Sequence, residues 1–273
     1  MSPKTRREKA KENRSIEEAK SLGAKLIFEV VRQEGEEELS RPILSLMWSG
    51  VAAGIMISLS VLGEAIFRTH LPDTEARFLL ENLGYSLGFM VVILGGMQLF
   101  TENTITTVLP LMSRPGTRML WRVARLWGVV LAANVAGAFV IATFYAHTPA
   151  LPANLMPALM ELSHHATGMP PAESFFRAIP AGVIIAALVW MMPNSEGFGF
   201  WVILVFTWLI AAGDFTHVIA GSVEMALLMV TGELGFWSAL TGFFLPVLAG
   251  NVIGGTVIFT LITYGQVRHE LHR

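Results

Sequence analysis

The motif LAANVAGA at residues 131–138 recurs as LAGNVIGG at residues 248–255. Each copy places one asparagine among small and apolar residues. A second pair of motifs, LFTE at 99–102 and DFTH at 214–217, recurs in the same order. The copies are offset by 117 and 115 residues, so a duplication explains them better than chance similarity between Gly- and Ala-rich stretches.

The duplicated motifs lie in long apolar stretches. The chain is 53% hydrophobic and 15% charged, whereas soluble domains carry about 25% charged residues. A helix needs about 20 apolar residues to cross a bilayer. On that basis we predict an all-α membrane protein with six spans, at residues 42–66, 82–112, 119–146, 173–193, 197–230 and 234–266.

The predicted spans define three regions. Residues 1–41 form a cytoplasmic tail with an amphipathic helix, residues 42–267 the membrane domain, and residues 268–273 a short cytoplasmic tail. Of the 19 Lys and Arg residues, ten lie between Lys4 and Arg41, and the segment 147–172 contains none. Because positive residues are retained on the cytoplasmic side, both termini are predicted to be cytoplasmic. The charged N-terminal region has no apolar core typical of a signal peptide.

The N-terminal region carries a helix signal of its own. Ser15 and Glu18 form a predicted capping box, and apolar residues follow at helical spacing: Ala19, Leu22, Leu26, Ile27, Val30 and Val31. Two interpretations remain open at this point. The helix packs on the protein's own base, which its many Glu residues favour, or it lies on the lipid interface.

Each half of the membrane domain contains three predicted spans, so the second half is expected to run inverted relative to the first. Spans two and five are interrupted by the polar motifs at 99–102 and 214–217. A backbone break is tolerated at membrane depth only where it is buried or lines a water-filled path. The helix ends at such a break carry partial positive charge. The sequence therefore predicts a site for a small anion near the midplane.

Several other functions are disfavoured. The net charge of −2 argues against nucleic-acid binding. The chain has no cysteine, which excludes disulfides, thiol catalysis and thiolate metal sites. Neither a His-Glu-x-x-His nor a Gly-x-Ser-x-Gly motif occurs, so a membrane enzyme is only a remote alternative. We expect no cofactor and no metal.

Three segments carry a resemblance to a known family. They are YSLGF at 85–89 with LFT at 99–101, Gly213 with HVIA at 217–220, and LAGNVIG at 248–254. Over about residues 40–267 the chain resembles the formate/nitrite transporter family, and within it the YfdC-like branch of bacterial inner-membrane proteins. The resemblance implies an aquaporin-like bundle assembled as a homopentamer, with one pore in each protomer. It also implies passage of a small monovalent anion or its conjugate acid, often with proton coupling.

The chain departs from the family pattern at positions that carry charge. The family's loop lysine is replaced by Ala166, beside His164 and His165. The family's glutamate before the central histidine is replaced by Thr216, and Glu102 replaces a small polar residue. The lost lysine and the added acid favour an alternative function as a pore for small neutral solutes.

The central histidine of the resemblance is His217. A histidine in a broken span that faces a repeat partner is more often functional than structural, and we predict that His217 hydrogen-bonds the permeant or passes it a proton. Thr101 is its predicted partner, although bonding of Thr101 to its own helix is an equal alternative. Glu102 and Thr216 complete the predicted pore and substrate-binding residues.

Other residues are predicted to narrow or support the pore. The predicted constriction, which would gate by dewetting, comprises Tyr85, Phe89, Leu99, Phe100 and Leu209. Asn134 and Asn251 are predicted to bond across helices. Asp214 and Glu224 flank the break in span five, where an acid is expensive unless it is paired or wet.

Glu102 supports two hypotheses. Aligning FT at 100–101 with FT at 215–216 makes Glu102 the repeat equivalent of His217, so the two side chains are expected to interact directly or through one water. In the other hypothesis, Glu102 stabilises the N-terminus of the second half of span two.

Overall fold

The computed structural model describes residues 22–271, and every regular element in that range is helical. The first helix, α1, spans Ala24–Ser40. Its apolar face, which includes Phe28 and Val31, is buried against Leu109 in the second predicted span and Val267 just after the last one. Helix α1 therefore packs on the protein's own base. The predicted capping box at residues 15–18 lies outside the described residues.

Within residues 22–271, twelve further elements built mainly of α-helix follow α1, and a 3-10 turn at Met192–Asn194 follows the helix that ends at Met191. In chain order they are α2 Ile43–Met56, α3 Ser58–His70, α4 Glu75–Glu81, α5 Ser86–Leu94, α6 Phe100–Thr106, α7 Val108–Ser113, α8 Thr117–His147, α9 Met156–Thr167, α10 Pro171–Met191, α11 Gly199–Ala212, α12 Val218–Val230 and α13 Phe236–Glu270. Two stretches of α13 are π-helical, Ala239–Phe244 and Ile253–Thr260.

Among the described residues, five helical segments are long and apolar enough to cross a membrane. They are Ile43–His70, Glu75–Leu94, Thr117–His147, Pro171–Asn194 and Phe236–Glu270. The predicted fifth span is present as two shorter apolar helices, α11 and α12. The predicted interruptions of spans two and five are therefore both observed, between α5 and α6 and between α11 and α12.

Large apolar side chains remain on the outside of the protomer. They include four tryptophans, Trp48, Trp121, Trp201 and Trp237. A soluble monomer buries most such surface, whereas a protein surrounded by lipid or by copies of itself does not need to. The exposed apolar surface therefore fits a membrane protein.

Two equivalent helix crossings are present, one within each half of the bundle. Helix α2 crosses α8 where Gly54 lies against the carbonyl of Asn134, so close that a Cβ on Gly54 would lie 2.0 Å from that oxygen. Helix α10 crosses α13 where Gly182 lies against the carbonyl of Asn251, with a corresponding distance of 2.3 Å. Any side chain at either glycine would force the helices apart. These contacts place the asparagine of each repeated motif at a helix crossing within its own half.

Candidate functional site

The break in each interrupted span begins with the same turn. Helix α5 ends in a Schellman turn, in which the Met97 N–H donates to the Val92 carbonyl at 3.0 Å and Gly96 has a φ of +60°. Helix α11 ends in the same turn, in which the Phe215 N–H donates to the Ile210 carbonyl at 2.9 Å. The left-handed position is occupied there by Asp214, with a φ of +53°. After each turn the chain is extended before the next helix starts.

One asparagine holds each extended segment. The side-chain oxygen of Asn134 accepts from the Phe100 N–H at 2.9 Å, and its amide donates to the carbonyls of residues 50 and 98. The side-chain oxygen of Asn251 accepts from the Val218 N–H at 2.8 Å, and its amide donates to the carbonyls of residues 178 and 216. Each asparagine thus satisfies one N–H and one carbonyl that the break leaves without helical partners, and its third bond goes to a carbonyl inside the neighbouring helix α2 or α10.

The hydrogen bonds fix the register of the internal repeat. Phe100 corresponds to Val218, which is an offset of 118 residues. The turn residues obey the same offset, because Gly96 corresponds to Asp214. The sequence alignment at an offset of 115 is therefore wrong by three residues. The repeat equivalent of His217 is Leu99, since both residues are the N-caps of their half-helices.

His217 and Thr101 meet between the two half-helices. The distance from Thr101 Oγ1 to His217 Nε2 is 2.8 Å, and both side chains are buried. The other ring nitrogen, Nδ1, accepts a hydrogen bond from the Ala220 N–H at 3.2 Å. Because Nδ1 is an acceptor, the neutral ring carries its proton on Nε2 and donates it to Thr101. The hydroxyl proton of Thr101 is then free for another acceptor.

The backbone at this junction offers two further donors. Within the described chain, no acceptor is found for the N–H groups of Thr101 and Ile219, which occupy equivalent positions in α6 and α12. Unpaired N–H groups in the first turn of a helix favour negative charge. The Thr101 hydroxyl and these amides together form a donor set suited to a small oxygen-containing anion.

Aromatic and apolar side chains surround the His217–Thr101 pair. The Phe89 ring makes an edge contact with the His217 ring at a centroid distance of 5.1 Å, and Tyr85 packs on Phe89 at 5.2 Å. Leu99 and Phe100 are buried in the same apolar cluster. These four predicted constriction residues therefore lie in the packed interior around the breaks.

Leu209 does not join them. Its side chain is 43% exposed on the outer face of α11, whereas the next residue, Ile210, is fully buried in the cluster with Phe89. Successive residues on an α-helix point about 100° apart, so a shift of one position moves a side chain off the inner face. The assignment of Leu209 to the constriction is wrong.

The predicted interaction between Glu102 and His217 is also wrong. Both nitrogens of His217 already have protein partners, which leaves neither of them for Glu102 or a bridging water. Glu102 lies instead in the first turn of α6, and its Oε1 is buried without a hydrogen-bond partner among the described residues. Its charged neighbours are Glu38 and Glu34 of α1.

Thr216 lies at the edge of a cavity of 420 Å³, lined in part by α3, α9 and α12. Its hydroxyl donates to the Ser174 carbonyl at 2.8 Å. We call this space the acidic cavity, because five carboxylates line it: Glu64, Glu81, Glu161, Asp214 and Glu224. Arg68 is the arginine among its lining residues, and His217 lies at its inner end.

Three of the five carboxylates in the acidic cavity are paired. Glu81 binds Arg68 at 2.6 Å, and Glu161 binds the same guanidinium at 3.2 Å. Asp214 binds Arg177, and it also lies 2.9 Å from Nε2 of His165. The bond to Asp214 raises the pKa of His165.

A second acidic cluster lies on the other side of the breaks. Glu38 of α1 accepts hydrogen bonds from Gln98 at 3.1 Å, Asn103 at 3.1 Å and Thr106 at 2.6 Å. Burial raises the pKa of Glu38, and these three bonds offset part of that effect. Glu38 therefore ties α1 to the first break.

Glu38 and Glu64 are not among the site residues predicted from the sequence. Glu64 carried a usable signal, because a carboxylate lay inside the predicted span 42–66. Such an acid marks a functional position by default. Glu38 lies in a segment rich in Glu, where its particular role has no sequence signal. Over residues 22–271, no group of three or more His, Asp or Glu side chains is arranged to hold a metal ion.

Comparisons with known proteins identify a family. The family model for formate/nitrite transporters matches residues 25–265. The chain is 42% identical over 248 residues to the inner membrane protein YfdC of Escherichia coli K12. The aligned segment covers 91% of this chain and 80% of YfdC. It is 26% identical over 249 residues to the formate channel FocA of Haemophilus influenzae. The aligned segment covers 80% of this chain and 84% of FocA.

Two solved structures share the fold. A pentameric formate channel with formate bound superposes with a TM-score of 0.72 at 22% identity, covering 83% of this chain and 98% of that one. An FNT family ion channel superposes with a TM-score of 0.77 at 17% identity, covering 88% of this chain and 98% of that one. At these identities the likeness establishes the fold alone.

Proposed function

This chain belongs to the formate/nitrite transporter family, and from that membership we propose that it passes a small monovalent anion, or the conjugate acid of that anion, across a bacterial inner membrane. The observation that carries the proposal is the 2.8 Å contact between Thr101 and His217 at the meeting point of two helix breaks. The relative FocA is named as a formate channel, which supports the class of permeant. The relative YfdC is named as an inner membrane protein, which supports the membrane.

In this proposal the pair acts as a hydrogen-bonding filter. His217 donates through Nε2 to Thr101, whose hydroxyl is left free to donate to the permeant. The ring is locked in this tautomer, because a proton on Nδ1 would face the Ala220 N–H. Direct release of the Nε2 proton would require Nδ1 to gain one, so the geometry favours hydrogen bonding of the permeant over simple proton donation by His217. Thr216 contributes to the entrance on the acidic-cavity side.

The proposed constrictions lie on either side of this pair. Tyr85 lines the acidic cavity together with His217 and packs on Phe89, and Leu99 and Phe100 form the apolar lining at the first break. An apolar ring removes water from an ion and makes its passage unfavourable unless polar groups replace that water. The Thr101 hydroxyl and the two unpaired amides supply such groups.

A pore for small neutral solutes is the second candidate. The observation that favours it is the charge of the acidic cavity, where five carboxylates face one arginine and Ala166 lines the wall. Such a wall repels an anion. It admits a neutral solute, or a weak acid in its neutral form.

We also propose an orientation and an assembly. Both termini lie in the cytoplasm, so that α9 and the acidic cavity face outward, and the protein forms a homopentamer like the formate channel with the same fold. A single cysteine at Thr148, an exposed position in this cysteine-free chain, is expected to react with a membrane-impermeant maleimide in intact cells. Reaction only after lysis would contradict the orientation.

Flux measurements test the function. Purified protein in proteoliposomes is expected to accelerate formate or nitrite uptake in stopped-flow experiments, and His217→Ala to reduce that flux by at least about tenfold, the equivalent of one lost hydrogen bond of about 1.4 kcal/mol. Thr101→Val removes the hydroxyl alone and is expected to act similarly. Equal acceleration of urea or glycerol flux would favour the neutral-solute candidate instead.

His164→Ala is the matched control, because this histidine is exposed and pairs with Glu233 away from the breaks. It is expected to leave the flux unchanged. Light scattering monitors assembly, with a protein mass of five chains expected for every variant. Wild-type flux in His217→Ala, with intact assembly, would show that His217 only caps α12.

A further inference from the structure

Glu64 and Glu224 are the two acidic-cavity carboxylates that no described residue pairs. Glu64 lies on α3 and Glu224 on α12, and these helices pack against each other and against α9. The side chains are only 7% and 8% exposed. Within residues 22–271, neither carboxylate takes part in a hydrogen bond or an ion pair, and both line the acidic cavity.

The neighbouring positive groups are already engaged. Arg68 is shared by Glu81 and Glu161, and Arg177 is shared by Asp214 and Glu173. His165 is bonded to Asp214. A buried carboxylate without a partner is strongly unfavourable. Two of them facing one cavity therefore call for a positive species inside it.

The walls of the cavity indicate which positive species fits. Four aromatic side chains line the cavity together with the two carboxylates: Phe78, Tyr85, Phe215 and Phe243. Aromatic faces attract organic cations and ammonium groups, and carboxylate oxygens accept N–H bonds. The volume of 420 Å³ is far larger than a bare ion needs. Divalent metals prefer more ligands than two carboxylates, and no metal-binding group is found among the described residues.

We propose that the acidic cavity binds a small ammonium cation, such as ammonium or a protonated primary amine, between Glu64 and Glu224. The proposed ligands are residues other than the Thr101–His217 filter, although His217 lines the same cavity, and cation binding does not require that the protein transports an anion. Bound at the mouth of the pore, the cation replaces the positive charge that the loop position Ala166 does not supply. It neutralises the carboxylates that would otherwise repel an anion there.

The test is direct binding to the full-length protein in nanodiscs. Methylammonium chloride is titrated calorimetrically at pH 7.5, with N-methyl-D-glucamine chloride holding the ionic strength constant. Saturable binding of one methylammonium per chain is expected. Glu64→Gln and Glu224→Gln, which keep the side-chain shape, are each expected to weaken binding by at least about tenfold. Glu161→Gln is the matched control: it lines the same cavity, but its side chain is 68% exposed and pairs with Arg68.

Several outcomes would overturn the proposal. One is the absence of saturable binding to folded wild-type protein. Another is an affinity for methylammonium in Glu64→Gln and Glu224→Gln that equals the wild-type affinity. The third is displacement of methylammonium by rubidium at equal concentration, which would indicate a general monovalent-cation site. The remaining possibility is that protons neutralise the two groups. In that case the infrared carboxylic-acid band of the wild type persists at saturating methylammonium, whereas a bound ammonium ion is expected to remove it. This measurement needs no variant. It therefore distinguishes protonation from ammonium binding even if a glutamine variant fails to fold.

Discussion

The breaks at residues 95–99 and 213–217 are two copies of one structure. Each has a Schellman turn, a left-handed residue, an extended segment and an N-cap, and each is held by three hydrogen bonds from one asparagine. Equivalent positions are 118 residues apart. The two breaks therefore share the turns and hydrogen bonds that allow a helix to be interrupted within a membrane.

The differences between the breaks lie where side chains carry chemistry. The left-handed position is Gly96 in the first break and Asp214 in the second. The N-cap is Leu99 in the first and His217 in the second. Only the second break therefore places a polar ring between the halves and a carboxylate beside the acidic cavity. In this molecule, repeat symmetry identifies architecture, and departures from symmetry identify candidate function.

Removing either asparagine is expected to have the largest effect on stability. Asn134→Leu and Asn251→Leu each leave one N–H and one carbonyl at the break buried without partners, and each also removes a bond to the neighbouring helix α2 or α10. Each such group costs about 1–3 kcal/mol, so both variants are expected to lose most of their folded, assembled protein. Fluorescence-detected size-exclusion chromatography of detergent extracts measures that loss.

Asn154→Leu is the control for these variants, because Asn154 is exposed in the segment before α9. It is expected to change stability by no more than about 0.5 kcal/mol. A stable, monodisperse Asn134→Leu protein beside an unfolded Asn251→Leu protein would show that the two breaks are not equally dependent on their asparagines.

Much of the fold could be predicted from the sequence because its determinants are local. Apolar length predicted the long helices, and polar motifs in the middle of two apolar stretches predicted both breaks. The repeated Asn134 and Asn251 correctly indicated bonds across helices. Resemblance to a known family indicated the bundle that the solved structures share.

The site was harder to predict because it depends on register and rotation. The shared FT letters aligned Glu102 with His217, whereas the hydrogen bonds align Leu99 with it. A three-residue error in register replaced an apolar partner with an acid. Leu209 was misplaced by a single residue, which turns a side chain from inside to outside. The pairing of Arg68 that leaves Glu64 without a partner arises only in three dimensions.

Substitutions at the left-handed position of each break are expected to change stability less than loss of an asparagine does. They test how the two breaks differ. A Cβ on Gly96 would meet nothing within 4 Å, so Gly96→Ala changes only backbone conformation. Its φ of +60° disfavours any residue with a Cβ by about 1–2 kcal/mol. Gly128→Ala, at an equally open helical position, is the control and is expected to be neutral or stabilising. Thermal unfolding in detergent measures both, and an unchanged midpoint in Gly96→Ala would contradict the argument.

At Asp214 two effects on stability oppose each other, the cost of the left-handed backbone and the gain from its side-chain bonds. Variants of Asp214 are therefore expected to show the smallest net change in stability. Asp214→Gly removes the backbone cost of the left-handed residue but loses the bonds to Arg177 and His165. Because Asp214 raises the pKa of His165, that pair contributes stability at pH values below the ordinary histidine pKa and loses it as pH rises through the raised value. The deficit of Asp214→Gly relative to wild type is therefore expected to shrink as pH increases through this window. Asp214→Asn tolerates the same backbone conformation without the charge, so it is expected to lose the same pH-dependent part. A deficit that is constant with pH in both variants would show that Asp214 acts through Arg177 alone.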